Sequence, residues 1–263
     1  MKKVIVISVA LSVFVLAGCG AKTESPASAE NPFFVEWTTP FGVPPFEQIQ
    51  EDHFLPAFER AIAEERAEVE AVAANPDEPT FDNTLAALDS TGALLNKVGG
   101  VFYTLAGSDT NENIQAIAKE VAPLRSNLRD DILMNPQLFA RVKAVYEQRD
   151  ELDLDPEQLT LLEKTYRNFV RGGAELNDTD KERLRAINSS LSTLALTFDD
   201  NLLAETNSYQ LVIENEADLA GLPQGVVGAA AAAATDAGLD GKWLFTTQRP
   251  SIDPFLDYAD NRE

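Results

Sequence analysis

Apolar residues recur every three or four positions over most of this chain, which is the spacing of one face of an α-helix. The first amphipathic segment has an apolar face made of Phe54, Phe58, Ile62, Val69 and Val72. The same pattern predicts five more helices, over residues 85–105, 114–132, 136–146, 156–169 and 184–202. Three glycines, at positions 92, 99 and 100, fall inside the second of them and are expected to weaken it or to let a neighbour pack closely.

Capping residues mark where several of these helices begin. Asn135 and Asp155 each precede a proline, and an Asn or Asp before a first-turn proline is typical of a helix start. Thr110 is predicted to cap the third helix, and either Asn177 or Asp178 the long helix near residue 180.

The hydrophobic period changes near the carboxyl end. Residues 209–213 and 242–246 are rich in β-branched and aromatic side chains, which predicts two short strands. The alanine-rich segment 226–237 predicts a helix that Gly238 ends. A last helix begins at Pro254 and meets no stop signal. The predicted fold class is mainly α, with long antiparallel helices and two short strands near the C-terminus.

The first eighteen residues predict a secretory signal peptide followed by a lipidated cysteine. Lys2 and Lys3 precede an uncharged apolar run that ends in Leu16-Ala17-Gly18-Cys19. A positive head, a short apolar core and small residues before the cut are the parts of a signal peptide, and the run is shorter than the about 20 residues that span a bilayer. The last four residues resemble the lipobox of bacterial lipoproteins. The alternative is an ordinary signal peptide in which a cysteine occurs by chance.

Domain organisation and location follow from this leader. We assign residues 1–18 to the signal peptide, 19–30 to the lipidated Cys19 and a flexible polar tether, and 31–263 to the helical region. The expected location is the bacterial cell envelope, with the lipid in the membrane and the protein facing the periplasm. Gly20 stands where an aspartate would resemble an inner-membrane retention signal, so the outer membrane is favoured.

Charge restricts the choice of partners. The chain has 21 Lys and Arg against 43 Asp and Glu, a formal net charge of −22. Such a surface repels phosphate backbones and anionic headgroups, so a nucleic-acid partner is not expected. Membrane attachment is therefore expected to come from the lipid on Cys19.

Candidate catalytic and metal-binding residues are scarce. His53 is the only histidine, and Ala57 lies four residues after it, whereas catalytic zinc sites commonly use two histidines one helical turn apart. A Gly-x-Ser-x-Gly elbow is also absent from the sequence. We predict no catalytic residue and no metal ligand in this chain, and we interpret His53 as a helix-start or packing residue.

Two other sets of residues receive structural interpretations. Paired carboxylates such as Asp130 and Asp131 are expected to be solvated on the polar faces of helices. Trp37 and Trp243 are adjacent to extended segments and are expected to be core or interface anchors.

Seven stretches carry a family resemblance. They are NPFF (31–34), FDNTL (81–85), VFYTL (101–105), YRNFVRGGA (166–174), LRAIN (184–188), DLAGLP (218–223) and GLDGKW (238–243). In this order they resemble the amino-terminal region of bacterial peptidyl-dipeptidases, the dipeptidyl carboxypeptidases of the thimet oligopeptidase and oligopeptidase A group. The resemblance extends from Asn31 to about Pro250, which is nearly all of the chain after the leader.

The resemblance implies a reaction, a cofactor and a partner. In that family two histidines of an HExxH helix and a later glutamate hold zinc, and the motif glutamate activates the water that hydrolyses short peptides. These residues belong to a longer carboxyl-terminal region, which this sequence does not include, so none is carried over to a position here. The chain is expected to be a truncated form that binds no zinc, is inactive alone, lacks its catalytic partner region and forms one wall of a channel for short peptides.

An alternative from another class stays open at this point. It is a non-catalytic helical lipoprotein that uses the same fold to bind peptides or a protein partner, so whether the chain is part of an enzyme is undecided. The first hypothesis expects a surface meant for the catalytic region, with partly uncovered apolar side chains near Trp243, Phe245, Phe255 and Tyr258.

Overall fold

The structure is a computed structural model that describes residues 31–261. The described residues fall into two units, the first up to Ile49 and the second from Gln50 onward. The signal peptide, Cys19 and the tether lie outside the described residues. Their assignments therefore stay predictions.

The described part of the first unit consists of extended chain with two short 3-10 helices, Pro32–Phe34 and Pro40–Gly42. Asn31 caps the first of them, since its side chain accepts a hydrogen bond from the Phe33 N–H. The indole Nε1 of Trp37 donates to the Pro32 carbonyl at 2.8 Å, and the Trp37 ring lies 6.2 Å from the ring of Phe33. Trp37 thus anchors this segment, as the sequence predicts.

The second unit is mainly helical, which confirms the predicted fold class. Its helices are α1 (Phe54–Ala73), α2 (Ala87–Asp89), α3 (Ala93–Ser108), α4 (Glu112–Leu133), α5 (Pro136–Glu147), α6 (Pro156–Arg171), α7 (Asp178–Ser208), α8 (Gln224–Asp236) and α9 (Arg249–Tyr258). Short 3-10 helices occupy Glu51–His53 and Glu216–Leu219, and a π-helical turn occupies Phe81–Ala86.

Most helix starts agree with the predicted caps. Asn135 and Asp155 accept hydrogen bonds from the first free N–H groups of α5 and α6. Asn177, rather than Asp178, caps α7. The predicted cap Thr110 is wrong by one residue, because the Asn111 side chain accepts from the N–H groups at the start of α4.

The predicted helix 85–105 is wrong as one continuous element. The chain leaves helical geometry after Asp89 and starts again at Ala93, because Gly92 adopts a left-handed conformation with φ of 75°. A side chain would be strained at that φ, and a Cβ there would lie 2.7 Å from an Oε of Glu65. The positive φ therefore favours glycine at this break.

Both predicted strands are present. The strands β1 (Leu211–Ile213) and β2 (Trp243–Phe245) pair antiparallel, with Leu211 opposite Phe245 and Ile213 opposite Trp243. Phe245 is buried, within a small apolar cluster with Leu219 and Ala230. The expectation of partly uncovered side chains is therefore wrong for Phe245, whereas Trp243 and Phe255 are half-buried against this cluster and Tyr258 is exposed.

A larger apolar core lies where α1, the π-helical turn, α5 and α6 meet. Its fully buried members include Leu85, Leu138, Val142 and Leu162. One buried cation borders this core: Arg141 of α5 is 7% exposed. Among the helices of residues 31–261, none has the length and apolar character needed to cross a membrane.

Candidate functional site

The longest helix, α7, packs on α4 through polar side chains. Asn188 donates to Asp130 at 2.7 Å, and Arg185 pairs with Asp131 at 2.7 Å. Nearer the start of α4, Lys119 pairs with Asp200 at 2.7 Å. Residues later in α4 thus contact residues earlier in α7. The two helices are therefore antiparallel, as predicted.

The apolar side chains of α7 point elsewhere. None of its residues is buried. The α7 apolar face consists of Ile187, Leu191, Leu194, Phe198 and Leu202, which are 46% to 66% exposed. An amphipathic helix in a folded domain ordinarily buries its apolar side, and within the described chain α7 does not.

A cleft of about 1020 Å³ lies beside the α4 and α7 pair, with α1, α3 and α6 forming its other sides. Its charged lining residues are Glu65, Arg125, Arg129, Asp130 and Arg171. Ligand sites in proteins commonly have volumes of about 300–1,000 Å³. The three arginines can donate paired hydrogen bonds to carboxylates, so the cleft offers sites for anionic groups in a chain that is acidic overall.

Glu65 is the perturbed acid of this cleft. Burial, together with the nearby carboxylate of Glu68, raises the pKa of Glu65 above its ordinary value, and Arg125 acts in the opposite direction. Arg125 also lies over the ring of Tyr103, with 5.0 Å between the guanidinium carbon and the ring centroid. Glu68 is held by the main chain, because it accepts a hydrogen bond from the Gly92 N–H at 2.8 Å.

Asp130 corrects the sequence interpretation. It is 2% exposed, whereas the sequence predicts a solvated carboxylate. One oxygen accepts from Asn188, and the other is buried and has no hydrogen-bond partner among the described residues. Its neighbour Asp131 lies between two arginines, Arg66 and Arg185.

No sequence signal distinguishes Asp130 from the many other acids on the helices. Its burial depends on which turn of α7 crosses α4, and that is a property of helix packing. A local pattern of three or four residues does not contain this information.

His53 lies where the sequence predicts it, at the start of a helix. It closes the 3-10 helix that leads into α1, and its Nδ1 accepts a hydrogen bond from the Gln50 N–H at 3.0 Å. Within residues 31–261, no group of three or more His, Cys, Asp or Glu side chains is placed to hold a metal ion. That this chain binds no zinc stays a prediction, as does lipidation of Cys19.

Comparison with known proteins adds the decisive observation. No protein-family model matches the sequence. The chain is, however, 40% identical over 233 residues to the dipeptidyl carboxypeptidase of Escherichia coli K12, an alignment that covers 87% of this chain. The chain belongs to this peptidase family.

Other family members extend the match. The chain is 30% identical over 221 residues to oligopeptidase A of Haemophilus influenzae, which covers 84% of this chain and 32% of that protein. It is 25% identical over 228 residues to a probable cytosolic oligopeptidase A of Arabidopsis thaliana. The chain spans about a third of the length of these relatives, 34% for the E. coli enzyme, and corresponds to the amino-terminal region of the family.

Proposed function

We propose that this chain is the amino-terminal part of a lipid-anchored zinc peptidase of the peptidyl-dipeptidase type, which hydrolyses short peptides. The observation that carries the proposal is the 40% identity to a dipeptidyl carboxypeptidase over 87% of the chain. In this proposal zinc and the water-activating glutamate belong to the remaining two thirds of the enzyme. The amino-terminal part supplies a wall of the peptide channel and is inactive by itself.

The cleft beside α4 and α7 supports the part of the proposal that concerns peptides. Arginines from two helices, Arg125 and Arg129 of α4 and Arg171 of α6, line it together with apolar side chains. Guanidinium groups bind carboxylates, and apolar lining accommodates peptide side chains. We assign this cleft to peptide contact in the complete enzyme.

Activity is tested in a fusion. The full chain is joined at its carboxyl end to the part of E. coli dipeptidyl carboxypeptidase that lies beyond the matched region, and release of dipeptides from short peptides is assayed. The fusion is expected to hydrolyse peptides in a chelator-sensitive reaction, whereas the chain alone does not and retains no stoichiometric zinc after dialysis. Dipeptide release by the purified chain alone would contradict the proposal.

Peptide contact has its own readout in the same fusion. Arg129→Met and Arg171→Met are expected to raise KM while kcat changes little, because they remove binding groups that act equally in the ground and transition states. Lys143→Met, at a half-exposed position of α5 that is not part of the cleft lining, is the matched control. Unchanged KM in both arginine variants would exclude the cleft from peptide contact.

Lipid attachment at Cys19 is a separate part of the proposal, motivated by the charged head, the apolar core and Leu16-Ala17-Gly18-Cys19. Cys19→Ala is expected to release the protein from membranes or to stall it with an uncut leader, because the acyl chains are the proposed anchor. Membrane fractionation and mass spectrometry of the mature terminus measure this. Wild-type protein in the membrane fraction without lipid would contradict it.

The alternative function is a non-catalytic helical lipoprotein that binds peptides or a partner. The exposed α7 apolar face is compatible with this alternative as well as with the peptidase. The coding DNA beyond residue 263 distinguishes the two. An in-frame or frameshifted HExxH region supports the peptidase, and a stop codon followed by an unrelated gene supports the stand-alone lipoprotein.

A further inference from the structure

The α7 apolar face lies on a different side of the helix from the residues that meet α4, and of its five members only Leu191 also lines the cleft. The side of α7 that meets α4 uses ion pairs and hydrogen bonds, through Arg185, Asn188 and Asp200. An amphipathic helix in a folded domain ordinarily buries its apolar side and exposes its polar side. Here the polar side makes the intramolecular contacts, and five large apolar side chains are left to solvent.

The face is long and continuous. Ile187 and Leu202 are fifteen positions apart, which corresponds to about 22 Å along a helix. Phe198 and Leu194 near its middle are 66% and 62% exposed. A continuous apolar row of this length on a protein surface is typical of an interaction site.

The charge along α7 specifies the chemistry of the partner. From residue 186 to residue 208 the helix contains Asp199, Asp200 and Glu205 and no Lys or Arg. Asp200 is paired within the chain, whereas Asp199 and Glu205 are exposed. A complementary surface is therefore apolar along its centre and carries Lys or Arg beside it.

A second copy of this chain does not meet that requirement. Each copy carries a net charge of −22, and the same acids would face each other across a symmetric contact, which opposes association. The family members are about three times as long as this chain, since the chain covers 34% of the E. coli enzyme. The two thirds that follow are the part of the family available to cover the face.

We propose that the α7 apolar face is the docking surface for the remaining, catalytic part of the peptidase, which meets it with an apolar segment flanked by lysine or arginine. This inference rests on the proposed function. It adds the surface, the side chains and the charge of the partner segment.

The experiment compares the chain alone with the fusion to the E. coli catalytic part. The test variant is Leu194→Lys with Phe198→Lys. The matched control is Thr193→Lys with Thr197→Lys, which adds the same charge at exposed positions of the same helix. Since successive residues are about 100° apart around a helix, Thr193 lies about 140° from Phe198.

The expected result is a difference between the two contexts. In the chain alone the test variant keeps the urea midpoint of unfolding, because the replaced side chains face solvent. In the fusion it lowers kcat/KM by about tenfold or more and speeds proteolysis between the two parts, because about two large apolar contacts are lost. The control changes kcat/KM less than about twofold in the fusion.

The charge of the partner has its own variant. Glu205→Lys is expected to lower the equilibrium constant for folding of the fusion several-fold at low salt. The decrease is expected to be smaller at about 0.5 M salt, because screening weakens the attraction between exposed charges. An unchanged or higher stability would overturn the basic character of the partner segment.

The remaining outcomes are distinct. A fusion with full activity in both the test variant and the control overturns the docking surface and leaves the proposed function intact. If the test variant of the chain alone is unfolded, the face serves this chain's own fold. If the chain alone forms a dimer that the test variant abolishes, the occupant is a second copy. Either result overturns the inference. A wild-type fusion without activity overturns the proposed function and this inference with it.

Discussion

Replacing the buried cation Arg141 by methionine should lower the free energy of unfolding of the helical unit more than the same replacement of an exposed arginine does. Its Nη1 donates to the carbonyls of Asn75 and Asp77 at 2.7 and 2.9 Å. Its Nη2 donates to the side chains of Asn83 and Thr84 at 2.9 and 3.3 Å. One guanidinium thus joins α5 to the loop after α1 and to the π-helical turn.

The size of the loss follows from these contacts. Hydrogen bonds from a charged donor contribute about 1.5 kcal/mol or more each, so four of them give roughly 6 kcal/mol. Two effects reduce this loss. Methionine removes the cost of burying a cation, which is several kcal/mol. Water can also reach the exposed Asp77 and hydrogen-bond to its carbonyl. The net loss expected for Arg141→Met is about 3 kcal/mol. Arg141→Lys, which keeps the charge but not the planar fork, should lose less.

Urea unfolding of the chain, followed by circular dichroism at the helix band, measures this difference. Arg129→Met is the control, because Arg129 is exposed on α4 and its loss should change the free energy of unfolding by less than about 0.5 kcal/mol. A loss below about 1 kcal/mol for Arg141→Met would show that water replaces the guanidinium at all four acceptors and would refute the reasoning.

Two further predictions concern one acid and one glycine. The folded chain holds the Glu65 proton more tightly than the unfolded chain, because burial and Glu68 raise its pKa, so stability falls as pH rises from the ordinary pKa through the raised one. Glu65→Gln should therefore raise the thermal midpoint at pH 7 and change it little near pH 4; an equal change at both pH values would contradict this. Gly221→Ala should cost more than about 2 kcal/mol, because its φ is 88° and a Cβ would lie 2.2 Å from the Tyr258 carbonyl oxygen. Gly238→Ala is the control, with φ of 74° and nothing within 4 Å, and equal unfolding midpoints for the two variants would contradict the steric argument.

Local patterns were sufficient for the strands and for most helices, but not for the break at Gly92 or for the start of α9, which begins at Arg249 and not at the predicted Pro254. Caps such as Asn135 and Asp155 act on N–H groups two or three residues away, so the interaction that defines them is contained in a short stretch of sequence. The same holds for the two strands, whose β-branched and aromatic content differs from that of the helices around them. The family resemblance likewise rests on short colinear motifs, and the comparisons confirm it.

Contacts between distant segments decided the candidate site. The break at Gly92 depends on Glu65 and Glu68, more than twenty residues earlier in the chain. The burial of Asp130 depends on Asn188, 58 residues later. Neither contact can be read from the local periodicity, so the sequence alone predicts a helix that is weakened at its glycines, and a solvated acid, but neither the break at Gly92 nor the burial of Asp130.

The orientation of α7 is the clearest case of what tertiary structure adds. Periodicity determines that Leu194 and Phe198 share one side of a helix, because 3.6 residues per turn is a property of the backbone. It does not determine what that side meets. In the described chain α4 takes the polar side of α7 through Asn188 and Arg185, since buried and half-buried charges must find partners, and the apolar side is left at the surface.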